Sequence, residues 1–150
     1  MDGVLILFKQ KIMKISYSED DNYTTCFYDL LERKVKSSIS NIFTCNMIMM
    51  RKDLLFITGY NKISIINVKN YKLRIINVPG ANYINGVCVF DQNMLLTGDV
   101  NTIKQWRIEG DNLILISKKE KAHDDGITDL LNLGNRHIAS CSFDKTIKIW

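Results

Sequence analysis

Apolar residues alternate with polar ones at period two along most of the chain, or gather in short runs closed off by Asn, Asp, Gly or Lys. Alternation of this kind marks a strand with one buried face, and very little of the sequence carries the longer period of a helix. The pattern predicts strands at VLILF, KIMKISY, YTTCFYD and KVKSSIS. It continues with CNMIMM, LLFIT, KISIINV and KLRIINV, then GVCVF, MLLTG, TIKQWRI and NLILIS, and ends with ITDLL, HIASCS and TIKIW. These fall into groups of four, four, four and three. Pro79 lies in VPGANY, between the second and third groups, where a missing N–H does no harm to a ladder.

The grouping is a repeat. Laying Leu95–Thr97 over Ile138–Ser140 puts Val87 on Leu130 and Gly80 on His123 without a gap, and TIKQW then lies on TIKIW with one residue fewer in the turn between. The second group fits with Thr58 on Thr97 and Ile66 on Trp106, and the first is anchored on Tyr28 in CFYDL. The anchors Tyr28, Ile66, Trp106 and Trp150 are 38, 40 and 44 residues apart. A period near 40 with four short strands per unit is the signature of a propeller blade.

The last unit, AHDDGITDLLNLGNRHIASCSFDKTIKIW, resembles the WD-repeat β-propeller family. It has a His in the loop before the inner strand, alternating serines in the next strand, an Asp in a tight turn and a third strand ending in Trp. The third unit keeps LLTG and TIKQW but has Gly80 in place of the His, with Asp99 and Asn101 both near the turn. The first two keep the rhythm alone. The resemblance implies an all-β, WD-repeat-like propeller, a partial ring of about four blades over residues 3–40, 41–79, 80–120 and 121–150, the last without its outer strand. It also implies that His123, Ser140, Asp144 and Trp150 hydrogen-bond in series as a structural tie, with Ser142 as the alternative hydroxyl.

Ser, His and Asp are also the parts of a hydrolase triad. A triad needs a serine exposed at a strained turn and an oxyanion hole. Ser140 and Ser142 sit inside a strand pattern, and no G-x-S-x-G is present, so no catalytic residue is assigned. The four cysteines Cys26, Cys45, Cys88 and Cys141 are widely spaced and form no metal-ligand pair, and His137 with Cys141 is at most half a site; neither metal nor cofactor is expected. Free thiols in apolar runs point to a reducing, intracellular compartment, cytoplasmic or nuclear. The N-terminal GVLILF lacks the flanks of a secretory signal, and no run reaches membrane-spanning length.

The net charge of +4 divides into +5 over residues 1–75 and −1 over residues 76–150. The basic residues form no continuous stripe, which argues against nucleic acid as the main partner and for solvated strand faces. What remains is a non-catalytic scaffold that presents loops to protein partners. In the family the turn face carries the contacts, which makes Phe143, Asp124, Asp125 and Tyr60 the candidate binding residues. The alternatives are an RNA-associated subunit of a larger complex and, third, a hydrolase or lyase using a central channel. Because a ring needs more blades than fifteen strands supply, the reading expects a piece of a longer propeller or a half ring that self-associates through open blade edges.

Overall fold

The computed structural model describes residues 7–8, 12–19, 22–29, 32–40, 45–51, 53–78, 80–110 and 112–150. Gly3, Val4, Leu5, Ile6, Lys11, Leu30 and Pro79 of the segments quoted above lie outside them. Fifteen strands and no helix form among the described residues, in two compact units. In the first, Met1–Phe43, strands β1 (Leu7–Phe8), β2 (Ile12–Glu19), β3 (Asn22–Asp29) and β4 (Lys34–Ser40) form one antiparallel sheet in sequence order.

The second unit, Thr44–Trp150, holds three antiparallel sheets, each again in sequence order. They are β5 (Asn46–Arg51) to β6 (Leu54–Thr58), β7 (Lys62–Asn67) and β8 (Lys72–Asn77); β9 (Gly86–Val89) to β10 (Met94–Gly98), β11 (Ile103–Glu109) and β12 (Asn112–Lys119); and β13 (Ile127–Gly134), β14 (His137–Ser142) and β15 (Ile147–Ile149). The inner strands β5, β9 and β13 are neighbours in that order. Burial follows the strand position. LLFIT of β6 is buried on both faces, whereas β8 and β12 are largely exposed.

Two apolar layers hold the second unit together. Phe56, Ile63 and Ile65 of the second sheet pack with Val87, Leu95 and Trp106 of the third. On the other side of the third sheet, Leu96 and Ile103 pack with Ile127, Leu130 and Ile138 of the fourth. Polar ties reinforce both layers, since the Asn46 amide donates to the Asn85 carbonyl at 2.9 Å and the Asn132 amide to the carbonyls of Val89 and Phe90, each at 2.9 Å. Gly98 owes its small size to this packing, because a Cβ there would lie 2.5 Å from Cγ2 of Ile127.

The registers test the sequence overlay residue by residue. Leu95 faces Trp106, and Ile138 exchanges backbone hydrogen bonds with Trp150, so Leu95 on Ile138 is the pairing found. A bulge falls between Phe27 and Tyr28 against β4 and another between Gln105 and Trp106 against β12, which gives Tyr28 and Trp106 the same place in their sheets. The second group needs a correction of one residue. Ile66 does share the place of Trp106, but it faces Leu55, so the counterpart of Thr97 is Ile57 and not Thr58. A one-residue slip turns a side chain to the other face. The Thr58 hydroxyl accordingly bonds the Asn46 carbonyl at 3.3 Å, within its own sheet.

Candidate functional site

His123 lies in the loop between β12 and β13, with its side chain fully enclosed. Its Nδ1 is 2.8 Å from Oδ2 of Asp144 in the β14–β15 turn, and its Nε2 is 2.7 Å from Oγ of Ser140 in β14. The indole N–H of Trp150 donates to the same Oγ at 2.9 Å. The chemistry gives the chain a direction. Ser140 accepts from Trp150 and has one proton to give, which goes to Nε2 of the neutral imidazole, and the Nδ1–H then faces the carboxylate. Loop, turn and two strands are joined through one run of hydrogen bonds. Ser140 is 1% exposed, so the hydroxyl that a triad would use as its nucleophile has no surface for a substrate and already holds an indole.

Asp144 is the hub of the turn. Beyond His123, its carboxylate accepts from the Thr146 hydroxyl at 2.6 Å, the Thr146 N–H at 2.9 Å and the Asp124 N–H at 3.1 Å. Burial alone would raise its pKa; the Thr146 hydroxyl, the Asp124 N–H, His123 and the Thr146 N–H outweigh that and hold it well below the ordinary 3.8. A lowered folded-state pKa contributes stability that is complete above the unfolded value and is lost as pH falls toward the folded one. Urea unfolding followed from about pH 7 down to about pH 3 should therefore show a steeper acid loss for wild type than for Asp144→Asn. Equal slopes would contradict the role given to the carboxylate.

Ser142 is not part of this relay. Its hydroxyl donates to the Asp125 carbonyl at 3.0 Å and accepts the Asp144 N–H at 3.1 Å, closing the turn against the loop. Lys148 adds a further tie by donating to the Ala122 carbonyl at 2.7 Å.

The family model for the WD domain, G-beta repeat, matches residues 116–150, the stretch that holds all four members of the relay. The solved structure of U3-55K aligns with a TM-score of 0.76 at 11% identity, over 93% of this chain and 45% of that one. Residues 116–150 are thus similar to a WD repeat, and the fold is that of the WD-repeat β-propellers. A chain of the Mitotic Checkpoint Complex crystal structure aligns with a TM-score of 0.76 at 14% identity, over 93% and 46% of the two chains. The RRP9 WD40 repeats align with a TM-score of 0.76 at 11% identity, over 93% and 44%. The chain thus spans somewhat less than half the length of these propeller chains. No curated protein sequence matches it significantly.

The third sheet is a propeller blade with half of this relay. The Trp106 indole still donates to Oγ1 of Thr97 at 2.9 Å, the counterpart of Trp150 and Ser140. The sequence overlay puts Gly80 in the place of the loop His. In its stead Asp99, 4% exposed, forms an ion pair at 2.5 Å with Lys104, the counterpart of Lys148. The sequence puts Asp99 and Asn101 both near the turn; Asn101 takes the place of Asp144, its Oδ1 accepting from the Thr102 hydroxyl at 3.3 Å as Asp144 accepts from that of Thr146, while Asp99 is the buried acid. The second blade, with Ile57 and Ile66 at the corresponding places, keeps only apolar packing.

The candidate binding residues lie at the same end of their blades as these ties. Phe143, next to Asp144, is 66% exposed, and its N–H donates to the Gly126 carbonyl at 2.9 Å. A Cβ on Gly126 would stand 3.3 Å from the Phe143 ring and 3.6 Å from the Val100 carbonyl, so ring, loop and neighbouring turn are contiguous. Val100 is itself exposed. Asp124 and Asp125 are exposed, and Oδ1 of Asp125 accepts the Gly126 N–H at 2.6 Å. Tyr60 is half exposed and stacks edge-on against Tyr83 at 5.3 Å. The sequence reading missed Tyr83 and Val100. Tyr83 is brought to Tyr60 by an isolated antiparallel bridge between a turn and a connection, which has no periodic signature.

Among the described residues, no three His, Cys, Asp or Glu side chains come together as a metal-binding group. All four cysteines are free thiols. Burial pushes Cys45 up to about 11, and burial with the Asp129 charge pushes Cys88 up to about 12, so neither has thiolate character near neutral pH. His137 is exposed at the start of β14.

Proposed function

We propose that this chain is a non-catalytic protein-interaction module whose contact surface is the turn face around Phe143. The observation that carries the reading is the adjacency of Phe143 and Asp144. One side chain is presented to solvent, while its neighbour is locked into a buried relay that fixes the backbone of both. A large aromatic held on a rigid turn is the kind of anchor that dominates binding energy at an interface, and Asp124 and Asp125 beside it provide an acidic rim. The Tyr60–Tyr83 pair is a second anchor of the same sort.

The Ser140–His123–Asp144 geometry serves packing and not hydrolysis in this reading, and its fluorophosphonate reactivity should be nil. Affinity capture in cells with the tagged chain tests the contact surface. Phe143→Ala and Asp124→Lys should each deplete the same set of co-purifying proteins at least about tenfold, with unchanged thermal unfolding. Retention of that set in both variants would refute the assignment.

A further inference from the structure

We propose that the second sheet, the first of the second unit, carries an anion-binding cleft which takes an acidic peptide segment, at a place separate from the Phe143 turn. The registers define the cleft. Lys72 of β8 faces Asn67, Arg74 faces Ile65, and Asn67 in turn faces Leu54, so these side chains share one face of the sheet. Leu54 and Ile65 form an apolar floor, and Asn67, Asn70, Lys72 and Arg74 rise around it. The space is about 300 Å³, at the small end for a ligand site and suited to one or two side chains.

The polar rim is made of donors. Oδ1 of Asn67 accepts the Lys69 N–H at 3.0 Å, and Oδ1 of Asn70 accepts the Lys72 N–H at 3.0 Å. Each amide is thereby oriented with its NH₂ left to donate. Lys72 and Arg74 are exposed, and neither meets a carboxylate among the described residues. The neighbouring acid Asp53 sits 3.7 Å from Lys69. With both amide oxygens already accepting from the backbone, two amide NH₂ groups and two cations present donors, which suits an anion. Lys72 and Arg74 are two positions apart on a strand, about 6.5–7 Å, which is also the spacing of alternate side chains on an extended peptide. Carboxylates at alternate positions of such a peptide would meet both cations, with an aliphatic side chain on Leu54 and Ile65.

The probe is a short fluorescein-labelled peptide with glutamates at alternate positions and leucines between them, titrated with the full chain by anisotropy at low salt. Lys72→Ala/Arg74→Ala should weaken binding by about tenfold or more, and raising the salt should weaken the wild type. Phe143→Ala should bind like wild type, which separates this site from the turn face. Both cationic side chains are exposed, so the double variant should keep the wild-type thermal midpoint. Unchanged affinity in that variant, or equal binding of a peptide with lysines for glutamates, would overturn the proposal. Tighter binding of single-stranded RNA than of the acidic peptide would overturn the assignment to peptide.

Discussion

Trp106→Ala will destabilise the chain by about 3–5 kcal/mol, the cost of deleting a buried indole from a packed core. Trp106 is 6% exposed within the layer that joins the second and third sheets, so its removal opens a void against Leu95, Val87 and the second-sheet isoleucines. Its N–H also satisfies the Thr97 hydroxyl, which is 1% exposed and would be left without that partner. Trp106→Phe separates the two contributions. It keeps most of the apolar contact and should cost about 1–3 kcal/mol, chiefly from the stranded hydroxyl. Denaturant unfolding of the two variants measures both. A loss below about 1 kcal/mol for the alanine variant would mean that the indole is not part of the core.

Lys104→Met will be comparably severe, at about 3–5 kcal/mol, because it leaves the Asp99 carboxylate buried without its counter-ion. The two side chains are 11% and 5% exposed, so water cannot take over the role of the ammonium. Replacing both partners should recover most of the loss, since an apolar pair of similar volume is often no worse than a buried ion pair. Lys104→Met/Asp99→Leu closer to wild type than Lys104→Met alone is the expected order by urea unfolding. The opposite order would show that the pair contributes more than the cost of its own burial. The pair also explains how a propeller blade without such a His can keep an ordered turn: an ion pair between strand and turn stands in place of a relay between loop and turn.

The strand pattern was readable where a strand buries one face, as β11 does through Trp106 and Ile108, because burial writes period two into the residue order. The fourth blade could be read to the side chain, since His, Ser, Asp and Trp are needed together and are rare in that spacing. The second blade misled by one position. Thr58 resembles Thr97 in type, but with Ile at the Trp position no polar partner distinguishes one register from the next, and only the face that meets the third sheet decides it. Tyr83 and the Asp99–Lys104 pair were invisible for a different reason. Their partners are set by how a turn meets a connection, or by what fills a space that another residue type has vacated, and neither leaves a periodic trace.

The central claim is that, of two adjacent residues, Asp144 holds the WD-repeat turn together and Phe143 is presented by it. Urea unfolding of Asp144→Ala beside Phe143→Ala tests it directly. Asp144→Ala should shift the midpoint clearly to lower urea, because Thr146, His123 and the Asp124 N–H lose their common acceptor. Phe143→Ala should unfold within about 0.5 kcal/mol of wild type, as an exposed side chain does. A large loss for Phe143→Ala with little change for Asp144→Ala would contradict the account.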